Sequence, residues 1–351
     1  MNPVPGLHLT RTAENGDEID ALAAALRSDG GGRVGVTGMV RDLPGRLRRT
    51  FAPSPRLLGL KVSQAYTWEG PDRRDRGWWP QGITTSAETG FREAHGHDVL
   101  MTSWYSRKGQ GARVSLADLH HRRYGHILLV TPTVVDGVPG IKPLKVHAGG
   151  IVWHGDYLHV AATGKGFSSC HLGDVLRVPA GSPYETFGHR YVLPVRFAHK
   201  GVADEGVGRL RFSFFSVDRS GDEPTLLVGE YGSSKQSRRI ARLALDPATS
   251  LPRPDTDGRI LPELDDRGAL RMQGIAAVDG TYYMTRSRTP YLPGSVYVGR
   301  PGAFGEHRAA TPFGPEDLVW WPETDSFWSV SEHPMRRWIF AMRRSDLSPR
   351  A

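Results

Sequence analysis

From about Pro55 the chain is written in short runs of β-formers, each four to nine residues long, broken by clusters of Gly, Pro and Asp. Runs of that length with turn signals between them predict strands, and strands at regular spacing predict an all-β fold. The runs fall into repeated groups. One phrase reads as a polar or small residue, then Gly, then an apolar run, then a turn and a second β-run. It occurs as Gln81-Gly82-Ile83-Thr84 followed by DVLMTSWYS, and as His147-Ala148-Gly149-Gly150-Ile151 followed by DYLHVAATGKG. It occurs again as Gln273-Gly274-Ile275-Ala276 followed by GTYYMTRSR, and as Glu316-Asp317-Leu318-Val319 followed by DSFWSVSEH. A looser copy is RLRFSFFSVD followed by PTLLVGEYG.

A third β-run follows each pair (ARVSLADL, FSSCHLGDVLRV, RRIARLALD, GSVYVGRP, RRWIFAMR), and four groups continue into a fourth: YGHILLVTP, RYVLPVRFAHK, RILPELDD and EHRAATPF. Four-stranded groups repeated around an axis make a β-propeller. Five blades are counted directly. Six or seven would need a blade within insertions such as Thr133–Lys145 or Pro179–Tyr191. The last group ends after three strands, and the unassigned run Arg56–Trp68 is expected to supply its outer strand, closing the ring from the N-terminal side. Residues 1–54 are expected to form an arm with one short helix over Asp17–Arg27, stopped by Gly30-Gly31-Gly32. The propeller is expected over 55–345, with 346–351 as a tail.

In a radial repeat, matching positions share one ring. Gln81, His147, Gln273 and Glu316 match one another just before the first strands, so they are expected to face the axis, with Asp317 beside them. The glycines among them fit close approach of neighbouring sheets. The second strands end in a further matched set: Trp104-Tyr105, Thr163-Lys165, Glu230-Tyr231, Arg286 and Glu332-His333. Together these would bring acids, a base, an anion clamp and aromatic surface to one mouth.

Composition changes this picture little. The 42 glycines and 26 prolines among 351 residues suit a turn-rich chain. No run of 18 apolar residues occurs, so no transmembrane helix is expected. The N-terminus lacks a basic region followed by an apolar one, which predicts a cytoplasmic protein. Cys170 is the single cysteine, which excludes an internal disulfide and a multi-cysteine zinc site, and no base at fixed spacing accompanies it. The net charge of +8 is spread along the chain without a stacking-aromatic motif, so it is read as suiting an anionic substrate rather than nucleic acid. Phosphate-loop, GxSxG and HExxH motifs are absent. His120, His121 and His126 are read as surface histidines, His154, His159 and His171 as structural or solvent-facing. Trp153, Trp320, Trp321 and Trp328 are read as packing between sheets. No metal and no cofactor are expected: Glu316 and Asp317 are the only first-strand acids near the axis, thin for a hard cation.

In the phrases WWPQGIT, VLMTSWYS, KVHAGGIVWHGDYLHVAATG, LLVGEYG, MQGIAAVDGTYYMT and GPEDLVWWPETDSFWSVSEH, the chain resembles a family of bacterial, mostly secreted, β-propeller-like proteins of undefined function. The resemblance spans about Arg56 to Arg343. It implies a propeller and brings no activity, so no catalytic role is carried over.

Three functional readings stand open. The first is a cofactor-independent enzyme of lyase, isomerase or cyclase type acting on a small molecule at the channel. His147, Glu230, Glu332 or His333 would be its acid and base, and Gln81, Trp104, Tyr105, Tyr231, Gln273, Arg286, Glu316 and Asp317 its binding groups. The second is a propeller that binds a ligand or protein without catalysis. The third is a glycoside hydrolase using Glu230, Asp317 and Glu332.

Overall fold

The chain is described here by a computed structural model covering residues 2–87, 89–289 and 291–349. The described strands form five sheets arranged as a β-propeller. Each sheet starts with one of the phrase strands: Trp78–Thr85 in sheet I, Ile151–His154 in sheet II, Phe214–Asp218 in sheet III, Met272–Val278 in sheet IV and Pro315–Trp321 in sheet V. Second, third and fourth strands follow outward by antiparallel pairing, as in Thr281–Arg286, Pro293–Arg300 and Ala303–Phe313 of sheet IV.

Both faces of each sheet are covered by neighbours, which explains the apolar texture. Ala112–Asp118 is buried at every position, whereas a strand with one wet face would alternate. Five hydrophobic clusters fill the spaces between successive sheets. Met101, Val114, Ile151 and Leu158 join sheets I and II, and Val152, Phe167, Phe215 and Val228 join II and III. Phe214, Leu227, Ile275 and Met284 join III and IV, and Val278, Tyr283, Leu318 and Phe327 join IV and V. Trp104, Ile83, Trp328 and Val330 close V onto I. The four tryptophans read as packing groups take such places, with Trp153 edge-on to Phe91 and Trp321 against Trp328.

Sheet V is completed from the N-terminal side. Val62–Thr67 pairs antiparallel with the last strand, Ile339–Arg343, with Phe340 opposite Ala65. The preceding Pro55–Leu58 is a helical turn rather than strand, because Pro55 opens it and Gly59, at φ +90°, ends it. The first 54 residues do not stand apart. Asn2–Pro3 extends sheet III, Leu7–Arg11 sheet II, Gly32–Arg33 and Gly45–Arg46 sheet I, and Arg48–Thr50 sheet V. The helix spans Gly16–Ser28 and buries Ile19, Leu22, Ala23 and Leu26, one face at helical spacing, against sheet I. A second helix, Gly35–Val40, was not expected. The insertions form no sheet of their own: Val138–Pro143 hairpins back onto Arg123–Val135, and Tyr191–Pro194 adds to the same strand in parallel. None of the described helices is long and apolar enough to cross a membrane.

Around the axis the first strands approach backbone to backbone. A Cβ on Gly274 would lie 2.5 Å from the carbonyl carbon of Asp317, and one on Gly150 2.5 Å from the Phe214 Cα. Neither contact leaves room for a side chain. Gly274→Ala is therefore expected to cost about 3 kcal/mol, read as a lower urea midpoint at constant slope. A loss below about 0.5 kcal/mol would show that sheets IV and V are not so closely apposed.

Candidate active site at the axis

The starts of the first strands surround a cavity of ≈ 360 Å³. Its wall carries Gln81, His147, Gln273 and Glu316, the four residues matched across the repeat, together with Glu332, Thr163 and Tyr231 from the ends of second strands or just beyond them. Residues up to 251 positions apart thus become neighbours: the Gln81 Nε2 donates to Glu332 Oε2 at 3.2 Å and to its own strand at the Pro80 carbonyl at 2.8 Å. Across the cavity the Gln273 Nε2 donates to Glu316 Oε1 at 3.3 Å. Tyr105 stands against the His147 ring, centroids 4.5 Å apart.

The two glutamates are electrostatically unlike ordinary carboxylates. Burial raises Glu332 to about 7, with the Gln81 hydrogen bond and the Arg337 and Arg107 charges pulling the other way. Glu316 is pushed well above the usual carboxylate range by complete burial and by the neighbouring Glu332 and Asp317. Two buried carboxyls in one cavity cannot both ionise cheaply, so the charged form of each is disfavoured, and that of Glu316 also by the acids beside it. Burial also lowers His147, leaving a neutral imidazole, and raises the Tyr105 phenol, helped by the Glu332 charge.

Asp317 lies one step below, under the cavity floor. Its Oδ2 accepts from the backbone N–H of Ile83 at 3.2 Å and of Ile151 at 3.3 Å, so one side chain of sheet V ties the first strands of sheets I and II. Burial pushes its carboxyl well up and outweighs these long bonds. Its Oδ1 has no hydrogen-bond partner among the described residues. Beyond it, at Ile83, Ile151, Phe215 and Val319, the opposite mouth holds only a space of ≈ 20 Å³.

Several residues expected at the mouth are elsewhere. Glu230 is fully buried in a clamp: Arg239 donates to it from Nε at 3.1 Å and from a terminal guanidinium nitrogen at 2.7 Å, and the Arg211 backbone N–H at 2.9 Å. Burial opposes its ionisation, but these donors hold it below the usual range. It is an ion-paired anchor for its loop, which corrects its reading as acid or base and dismantles the Glu230–Asp317–Glu332 trio. Trp104 is a core residue, edge-on to Trp68 at 4.9 Å, because its place in the strand faces sheet V rather than the axis. Arg286 turns outward along sheet IV to the Tyr297 hydroxyl and to Glu306 at 3.4 Å. His333 sits behind Glu332, Nε2 to Oε1 3.8 Å, its ring edge-on to Trp79.

Arg211, Ser213 and Gln236 complete the wall and were not anticipated. Arg211 and Ser213 come from the loose third copy of the phrase, where no Gly marks the matching place. Arg337 was missed as well. Fully buried, it donates to the carbonyls of Glu332 at 2.8 Å and Trp78 at 2.7 Å, fixing the strand end that presents Glu332.

No protein-family model matches the chain, and no curated protein sequence does. Among solved structures it is similar to a gluconolactonase from Xanthomonas campestris, at 15% identity and TM-score 0.37 over 86% of this chain and 87% of that one. It is also similar to a thermostable family-43 glycoside hydrolase, at 10% identity and TM-score 0.35 over 78% and 91%. A third is hydrazine synthase from Kuenenia stuttgartiensis, at 11% identity and TM-score 0.34 over 73% and 74%. Likenesses this distant carry nothing about activity.

The raised Glu332 has a measurable consequence. A carboxyl whose folded value lies above its unfolded one contributes stability below the unfolded value, 4.5, and loses it as pH climbs to about 7. Glu332→Gln removes that loss. The variant should gain on the wild type between those limits, by about 2–3 kcal/mol, in urea melts run across the range. A difference that does not change with pH would place Glu332 in a solvated environment.

Proposed function

We propose that the chain is a five-bladed propeller enzyme that moves a proton on a small polar molecule held in the axial cavity, in an elimination, isomerisation or cyclisation. The observation that carries this reading is the pairing of Glu332 with Glu316, two buried carboxyls of one cavity, each raised above the usual carboxylate range by a different set of neighbours. General acid–base catalysis works best with groups whose values lie near the working pH, and environments that split two carboxyls assign the two roles.

In the proposed cycle Glu332 acts as the base. Its carboxylate takes a proton from a substrate C–H bond, and the electron pair left behind passes into the substrate. Glu316, still protonated, delivers its proton to the oxygen that gains negative charge, either the departing group or an enolate. The proton balance is restored when Glu332 returns its proton to solvent and Glu316 recovers one. The amides of Gln81 and Gln273 hold the two carboxyls in place. Neutral His147 faces the same space as an uncharged hydrogen-bonding group, with the Tyr105 ring packed against it, and Arg211 with Tyr231 gives the wall affinity for an anionic substituent.

The test works before the substrate is identified. A complex metabolite extract is incubated in D₂O with the wild type or with Glu332→Gln, and mass spectrometry follows every compound. The reading expects a compound that is consumed, or that takes up solvent deuterium at carbon, with wild type. The same change should be slower by about 10²–10⁴-fold with the variant, whose melting temperature should be no lower than that of the wild type. Turnover at the wild-type rate in the variant would remove Glu332 from the chemistry. A compound that binds in the cavity and is always recovered unlabelled and unchanged would make this a binding propeller.

A further inference from the structure

The end of sheet I remote from the axial cavity gathers a second set of reactive groups. His97 precedes the second strand, Leu100–Ser106; Asp118 ends the third, Ala112–Asp118; His121 lies in the turn that follows. Pairing of Leu100 with Ala117 fixes them side by side. The His97 Nε2 lies 3.1 Å and the His121 Nδ1 2.8 Å from the same oxygen, Asp118 Oδ2. All three potential donor atoms lie within 4.8 Å of one another.

We propose that His97, Asp118 and His121 bind a divalent transition-metal ion of the zinc class. Two imidazoles and a carboxylate suit zinc and its neighbours, whereas calcium and magnesium require all-oxygen shells. Ligand bonds of about 2.0–2.2 Å in a tetrahedron put donor atoms about 3.3 Å apart. Two of the contacts already lie near that spacing, so loading needs only a small rearrangement of His121, whose side chain is 60% exposed. The Asp118 oxygen already faces both imidazoles.

The site has three protein ligands and an open side, the pattern of reactive rather than closed structural zinc sites. That side gives onto a cavity of ≈ 510 Å³ whose wall also carries His95, Arg41 and Arg123. The His120 ring packs beside the site, its centroid 5.1 Å from that of His97 and 4.7 Å from that of His121. The adjacent Asp98 is committed to Ser86 and Arg92 and is not available.

The test uses the full chain, stripped with a chelator and titrated with Zn²⁺ alone, and reads bound zinc per chain and melting temperature. One equivalent should bind and raise the melting temperature. His97→Ala and His121→Ala should each weaken binding by about 100-fold while the metal-free melting temperature holds, since neither empties the core. In Co²⁺-loaded protein the visible bands of the wild type should be lost in His121→Ala. Zinc held as tightly by both variants as by wild type, or no zinc bound by wild type, would overturn the proposal.

Discussion

Close approach of the first strands around the axis is the constraint from which the rest of the structure follows. Where Gly150 meets Phe214 and Gly274 meets Asp317, backbone touches backbone, and the groups between are buried. Polar atoms there must find partners inside the protein or suffer for lacking them. The carboxylate of Asp317 takes up two strand N–H groups, and the Ser103 hydroxyl donates to the Ala148 carbonyl at 2.7 Å while accepting from Gly82. The axis is held by side chains of one sheet satisfying the backbone of the next.

The same burial sets the electrostatics of the cavity. Glu316 is the residue before Asp317, so the register that puts Asp317 between sheets also turns Glu316 into the cavity. Glu332 is brought opposite by the pairing of Pro315 with Ser331 and is fixed from behind by Arg337. Burial then does to these two carboxyls what solvent would prevent on an outer loop, and the Glu332 charge raises Glu316 further. Asp317, the tie between sheets, and Glu316, which faces the cavity, are neighbours because both stand at the buried start of one first strand.

The radial grouping was legible in the chain because each sheet repeats the same order of strands, and because Gly82, Gly150 and Gly274 mark the points of closest approach. From that grouping the ring of Gln81, His147, Gln273 and Glu316 could be located without coordinates. The second-strand residues were less legible. A strand end can turn toward the axis, into a neighbouring sheet or outward, and the alternation that decides this is hidden when both faces are buried. Glu332 turns in, Trp104 turns into the core, and Arg286 turns out. Glu230 was obscured differently: its partner Arg239 sits in a loop whose path no local pattern discloses. His97, Asp118 and His121 were illegible as a group because their spacing of 21 and 3 residues becomes proximity only through the pairing of two strands.

The central claim is that burial in one axial cavity raises both Glu332 and Glu316 above the ordinary carboxylate range. Carbon-13 NMR of side-chain-labelled glutamate, assigned with Glu332→Gln and Glu316→Gln, measures it directly. The account predicts a Glu332 midpoint of about 7 and a Glu316 midpoint also displaced well above the ordinary carboxylate value. Two resonances titrating together near the ordinary carboxylate value of 4.5 would contradict it.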